Sequence, residues 1–174
     1  MTDECRCSVR RNRVVPTPRR RCQAFAERSV KRWPSSQFVI MKSLTRDTRS
    51  YVVAIAQQIN GAYENGWYDA CAVMIRRLIE TLIIETFEKH GVAHKIKGAG
   101  GDYVFLKDLI TATLQETAWS PSRNLKSALP KLKDIGDKSA HNRFFVAKRG
   151  DIQPLIGDIR SVVQELLFQS GLKK

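Results

Sequence analysis

Residues 67–90 constrain the fold most, because they combine helical spacing with apolar side chains on nearly every side. Cys71, Met74, Ile75, Leu78, Leu82 and Thr86 fall within one stripe of a helix. Ile79, Ile83, Ile84 and Phe87 widen that stripe until only a narrow polar edge is left. A helix with such a surface has to be covered on several sides, so the rest of the chain must supply its neighbours. Gly91 provides a left-handed stop. No apolar run in the chain approaches the roughly 20 residues that a bilayer span needs, which sets membrane insertion aside.

Four further amphipathic segments supply the neighbours. Val52, Ile55, Ala56, Ile59 and Tyr63 share a face, with Thr45 or Asp47 as the expected cap and Asn65-Gly66 as the stop. Val104, Leu106, Leu109, Ile110 and Leu114 follow a glycine-rich basic loop, residues 91–102, whose Asp102 is the expected cap. Within that loop Gly98-Ala99-Gly100-Gly101 matches no nucleotide fingerprint and follows no strand. Ser120-Pro121 or Ser122 opens a stretch carrying Leu125, Leu129, Leu132 and Ile135, in which Pro130 predicts a kink or two short helices. Asp151 is expected to cap the last helix, where Ile152, Leu155, Ile156, Ile159, Val162, Val163, Leu166 and Leu167 repeat before Gly171, and Pro154 is tolerated in its first turn. With no alternating β-branched run and no internal repeat, the prediction is an all-α bundle of about five helices.

The 43% hydrophobic content of the 174 residues suits one ordinary domain. Charge divides the chain: residues 1–40 hold ten Lys and Arg against three Asp and Glu, so about half of the net +13 lies in under a quarter of the length. That stretch includes Pro16, Pro18 and Pro34 and has no sustained period, the composition of a disordered basic arm. One reading is an arm that binds nucleic-acid phosphates by counterion release. A second is an upstream extension of a reading frame whose natural start is Met41. The switch from arginine-dominated bases to twelve lysines and eight arginines after residue 40 favours the second. A transit peptide is a third, ill matched by Asp3 and Glu4. The N-terminus lacks the apolar centre of a secretory signal, so the expectation is a cytoplasmic protein whose domain spans residues 41–174. Cys5, Cys7 and Cys22 in the arm and Cys71 in the apolar helix form no disulfide framework. Zinc would want a fourth ligand, and the nearest histidine is His90. No metal or other cofactor is expected.

Chemistry concentrates in Gly136-Asp137-Lys138-Ser139-Ala140-His141-Asn142-Arg143. His141 has polar and small neighbours, which explains it poorly as core filling. If the helix continues through Ala140, Asp137 shares a face with His141 and can fix the imidazole tautomer. A histidine so held can act as a base, with Arg143 and Lys138 stabilising phosphate as a 2'-hydroxyl attacks in metal-free RNA cleavage. The plainer reading has Asp137 and His141 merely staple a helix end to the next loop. Arg76, Arg77 and Glu80 interrupt the most apolar helix, either as a polar cluster facing the histidine or, preferably, as a solvated ridge with an Arg76–Glu80 pair. Lys133, Lys138, Arg76 and Arg77 are the bases expected to meet nucleic acid. Glu85 projects beside Met74 and Leu78, a buried acid needing Arg77 or a base from another helix. Gly91 separates His90 from His94, so these two do not make a metal pair. Trp67, Tyr68, Tyr103, Phe105, Phe144 and Phe145 read as core and interface residues, the last two suited to a dimer seam.

Trp67-Tyr68-Asp69-Ala70, Met74-Ile75-Arg76-Arg77-Leu78-Ile79-Glu80 and Ile135-Gly136-Asp137-Lys138-Ser139-Ala140-His141 together resemble the bacterial domain of unknown function 4145. That family is related to the HEPN superfamily of helical nucleotide- and RNA-associated domains, and the resemblance covers most of residues 45–168. It implies a HEPN-like bundle that forms homodimers and sits in a phage-defence or toxin setting, with an antitoxin or defence protein as partner. Active members cut RNA without metal, using an arginine separated from a histidine by four to six residues. His141 takes the histidine position. The arginine positions hold Asp134, Ile135 and Gly136, and Lys133 is one residue too far. That departure weighs toward binding. The resulting expectation is a domain that binds or cleaves RNA, with His141 as base, Asp137 orienting it and Arg143 with Lys138 on phosphate; the alternative is a non-catalytic dimerisation module.

Overall fold

The computed structural model describes residues 38–173, so the basic arm to residue 37, with Cys5, Cys7 and Cys22, lies outside the described residues. Among the described residues five helices of ten or more residues follow one another: α2 (Ser50–Glu64), α3 (Tyr68–Lys89), α4 (Leu106–Gln115), α5 (Arg123–His141) and α7 (Ile156–Gln169). Two single-turn helices, α1 (Lys42–Thr45) and α6 (Arg149–Ile152), join them. There is no strand among these residues, only an isolated antiparallel bridge between Lys97 and Tyr103. The fold is an all-α bundle.

Helix α3 is the hub, packed against α2, α4, α5 and α7. Its Cys71, Ala72, Leu78, Leu82, Ile83 and Phe87 are wholly buried, as the wide apolar stripe requires. Each large side chain among them contributes about 1.5–3 kcal/mol by leaving water. Burial pushes the Cys71 thiol up to about 12, which leaves it inert as a nucleophile. Two threonines that enter this core satisfy their hydroxyls on their own helices: Thr86 donates to the Leu82 carbonyl at 2.8 Å and Thr113 to Leu109 at the same distance. Among the described residues no helix is long and apolar enough to cross a membrane.

The helix ends follow the glycines. Gly66, Gly91 and Gly171 have positive φ and stop α2, α3 and α7, and Ser122 caps α5 by accepting from the Leu125 N–H at 3.1 Å. The acidic caps do not hold. Asp47 occupies a left-handed turn position (φ 65) and α2 starts three residues later, after Arg49, without a side-chain cap. Asp102 lends its carbonyl to the Gly98 N–H in a tight hairpin, and α4 begins only after Phe105. Asp151 is the third residue of α6, its carboxylate accepting from the Lys148 N–H at 2.8 Å. Pro154 then breaks the expected single last helix: a 3-10 turn, Gln153–Leu155, separates α6 from α7.

Pro130 does not divide α5, which runs unbroken for 19 residues. Pro130 and Lys126 both face solvent, so water replaces the hydrogen bond that the proline forbids. Glu85 finds its partners at the start of α2: Arg49, the residue ahead of that helix, reaches it at 3.1 Å and the Tyr51 hydroxyl donates to it, while Arg77 stays out in solvent. Among the aromatics, Trp67, Phe105 and Phe144 are 64%, 82% and 81% exposed, so they are not core.

The packed body begins ahead of the expected boundary at residue 41. Val39 and Ile40 are fully buried in the main core. The Asn60 side chain accepts from the Ile40 N–H at 2.9 Å and donates to its carbonyl at 2.8 Å, while Arg160 donates to the carbonyls of Phe38 and Val39. A chain starting at Met41 would leave Asn60 facing nothing, which argues against residues 38–40 as a dispensable extension.

Candidate functional site

Helix α5 carries the histidine segment to its last turn, and His141 is its final residue. Asn142 then closes the helix, its N–H donating to the Lys138 carbonyl at 3.0 Å. The Asn142 side chain accepts from the Phe144 N–H at 3.0 Å, and its carbonyl accepts from Phe145 at 3.1 Å. This small turn throws Arg143 and Phe144 outward. The Arg143 guanidinium lies 4.4 Å from the Phe144 ring centroid, a cation–π pair on an open surface. Asp137, Lys138, His141, Asn142, Arg143 and Phe144 line a shallow depression of about 490 Å³. Beyond it the chain is pinned again, where the Ala147 N–H donates to Asp69 at the start of α3 (3.0 Å).

Asp137 does not orient His141. Its Oδ1 accepts from Arg76 Nε at 2.9 Å and its Oδ2 from Lys133 Nζ at 2.5 Å, so both oxygens are engaged away from the imidazole. Arg76 also reaches Glu80 at 3.7 Å, and these side chains are roughly a quarter to a third exposed. Burial pushes the Asp137 carboxyl up, but the hydrogen bonds and charges of Lys133 and Arg76 outweigh it and hold it below the usual carboxylate range. The carboxylate is therefore a fixed anion shared by two helices. Among the described residues His141 makes no hydrogen bond or ion pair with an acid, and the general-base arrangement expected from the four-residue spacing is not assembled there.

Gly136 explains how Arg76 gets there. A Cβ at position 136 would lie 2.8 Å from Arg76 Cβ and 3.3 Å from the Ala72 carbonyl oxygen. Only glycine lets α5 approach α3 so closely that the arginine crosses over it to Asp137.

Of the bases expected to meet nucleic acid, Arg76 and Lys133 are thus engaged with Asp137, and Lys138 pairs with Asp134 at 2.7 Å on the exposed side of α5. Such a solvated pair contributes about 0–1 kcal/mol and breaks readily. Arg77 is exposed and takes no part in the cluster, since one residue turns a helix by a large angle. Arg143 forms no ion pair among the described residues. No group of three His, Cys, Asp or Glu side chains that could hold a metal occurs among them.

Sequence reasoning missed a saturated carboxylate elsewhere. Glu116, just after α4, accepts from Lys95 Nζ (2.9 and 3.0 Å), the Thr117 N–H (2.8 Å) and the Ala118 N–H (3.0 Å). These contacts, Lys95 first, hold its carboxyl down at about 2. Its only advance signal was an acid directly following an amphipathic helix. A second cavity of about 530 Å³ lies between Leu44, Ser122 and Phe168. Its Glu165 accepts from Ser122 through both oxygens and its Lys173 donates to the carbonyls of Ser43 and Leu44, so its charged groups serve the fold.

Comparison with protein-family models, with curated proteins and with solved structures finds no match.

Proposed function

We propose that this chain is a HEPN-like helical domain that binds RNA through the end of α5. The observation that carries the reading is the Arg143–Phe144 pair, an exposed aromatic ring and its cation held beside His141 by a side-chain-braced turn. An exposed ring offers a stacking surface for an unpaired base, and the guanidinium a phosphate contact. The net charge of +13 favours any polyanion in addition. Cleavage is the less supported half of the original expectation, because Asp137 is turned away from His141. The test is binding of labelled single-stranded RNA to the full chain in EDTA. Replacing Phe144 and Arg143 by alanine is expected to weaken binding by about tenfold, from the loss of one stacked base; unchanged affinity would remove the reading. His141→Ala in the same assay checks strand cleavage, which is expected to be absent from both proteins.

A second reading, a non-catalytic dimerisation module, draws on the segment after Asn142. Phe144 and Val146 point outward (81% and 67% exposed) while Phe145 and Ala147 point inward, so one edge of this segment is apolar and open. A concentration-dependent dimer in sedimentation that Val146→Asp abolishes would favour it. A defence or toxin setting, with an antitoxin as partner, belongs to the family resemblance alone.

A further inference from the structure

We infer that Asp137 is an internal counter-anion that withholds Arg76 and Lys133 from bound phosphate, so that the depression selects unpaired nucleotides by stacking and does not select duplex by charge. The inference rests on the RNA reading above and names the class of RNA. Two bases from two helices converge on one carboxylate, each oxygen taking one of them at 2.9 and 2.5 Å. Asp137 lines the depression, whereas Arg76 and Lys133 reach it from outside that lining. The carboxylate therefore occupies the place where those two cations would otherwise meet an anion. Gly136 shows that the arrangement is built: the crossing of Arg76 over the α5 backbone demands the absence of a Cβ. Lys138 is diverted likewise, to Asp134.

Of the two cations that line the depression, Lys138 is held only by that solvated pair, whereas Arg143 forms no ion pair among the described residues and lies on an aromatic ring. Duplex binding is carried by many phosphate contacts and steep salt dependence, which Arg143 and the loosely held Lys138 do not provide. A single strand can splay a base onto Phe144 and bring one phosphate to Arg143. The site consequently has the chemistry of a stacking platform with a phosphate contact from Arg143 and room for no more than a second from Lys138.

The experiment uses the full chain and measures affinity against salt for a labelled single-stranded RNA and a duplex of equal length. The contribution of the N-terminal arm is common to every variant, so differences between variants report the depression. Phe144→Ala is expected to weaken single-strand binding by about fivefold or more and to leave duplex binding unchanged. Asp137→Asn frees the two bases, so it should tighten duplex binding and steepen the single-strand salt slope by about 0.7 per base released. Lys133→Ala, a milder change on the same helix, should leave the parental slope unaltered. If Phe144→Ala has no effect, the RNA reading itself fails. If Phe144→Ala weakens binding but Asp137→Asn leaves the slope unchanged, or Lys133→Ala flattens it, the counter-anion role is overturned while the RNA reading stands.

Discussion

Two short non-helical segments flank helices in this fold and have opposite characters. Phe38–Ile40, ahead of α1, turns Val39 and Ile40 inward, and its backbone groups are met by Asn60 and Arg160 from two different helices. Residues 142–148, between α5 and α6, brace their own turn through Asn142 and leave Phe144, Val146 and Arg143 outward. The first uses polar side chains to satisfy a buried backbone, as a folded interior demands. The second uses them to hold apolar and cationic groups in water, which adds little to the stability of the fold. Stability accounts for the leading segment. It does not account for the lip after α5, and that contrast is the reason to look for a ligand there.

The largest expected effect tests the leading segment. A chain beginning at Phe38 and one beginning at Met41 should differ by at least about 4 kcal/mol in urea unfolding. That figure combines burial of Val39 and Ile40 with the desolvated, partnerless Asn60 left behind. Equal midpoints would make the segment an ornament and erase the contrast with the lip. The composition change near Met41 marked a real transition from arginine-rich to lysine-rich sequence, yet it fell three residues inside the packed body. Composition averages over a window; the seat of Ile40 is set by the core it enters and by Asn60, twenty residues away, which meets its backbone.

An intermediate effect concerns Glu116, which resembles the leading segment in using one side chain to satisfy a loop. Its folded pKa of about 2 lies below the ordinary carboxylate value of 4.5. The stability it supplies is therefore present above pH 4.5 and is lost as pH falls toward 2. Glu116→Gln should cost on the order of 2 kcal/mol at neutral pH and flatten the fall in unfolding midpoint between pH 4.5 and 2. An unchanged acid limb would mean that Lys95 and the two amides do not hold this carboxylate. Asp137, also lowered, adds to the same limb with the same sign.

What could be read in advance was whatever depends on local geometry. The stops at Gly66, Gly91 and Gly171 follow from left-handed backbone, and the wide stripe of α3 follows from its being covered on several sides. The misreadings share a cause. Residue type alone makes Asp47, Asp102 and Asp151 candidate caps, although short acids serve turns equally well. Pro130 predicts a break only where its side of the helix is buried, and in α5 that side faces water. For the site, the four-residue spacing of Asp137 and His141 was legible, but the destination of the carboxylate depended on Arg76, sixty-one residues away, and on the missing Cβ of Gly136. Gly136 stands where the resemblance calls for an arginine, and in the folded chain it is the gap through which an arginine from another helix passes.

The smallest expected effect is the sharpest test of the lip. Phe144→Ser removes a large apolar side chain, yet the ring is 81% exposed and its only described partner is the Arg143 guanidinium. Solvent-facing cation–π pairs contribute about 0.5–1 kcal/mol, and a serine removes an exposed apolar surface in exchange. The unfolding midpoint should therefore move by no more than about 0.5 kcal/mol, while RNA affinity falls. A stability loss above about 2 kcal/mol would show that Phe144 packs against something in the folded chain. The residue would then belong with Ile40, and the argument that the lip exists for a ligand would lose its footing.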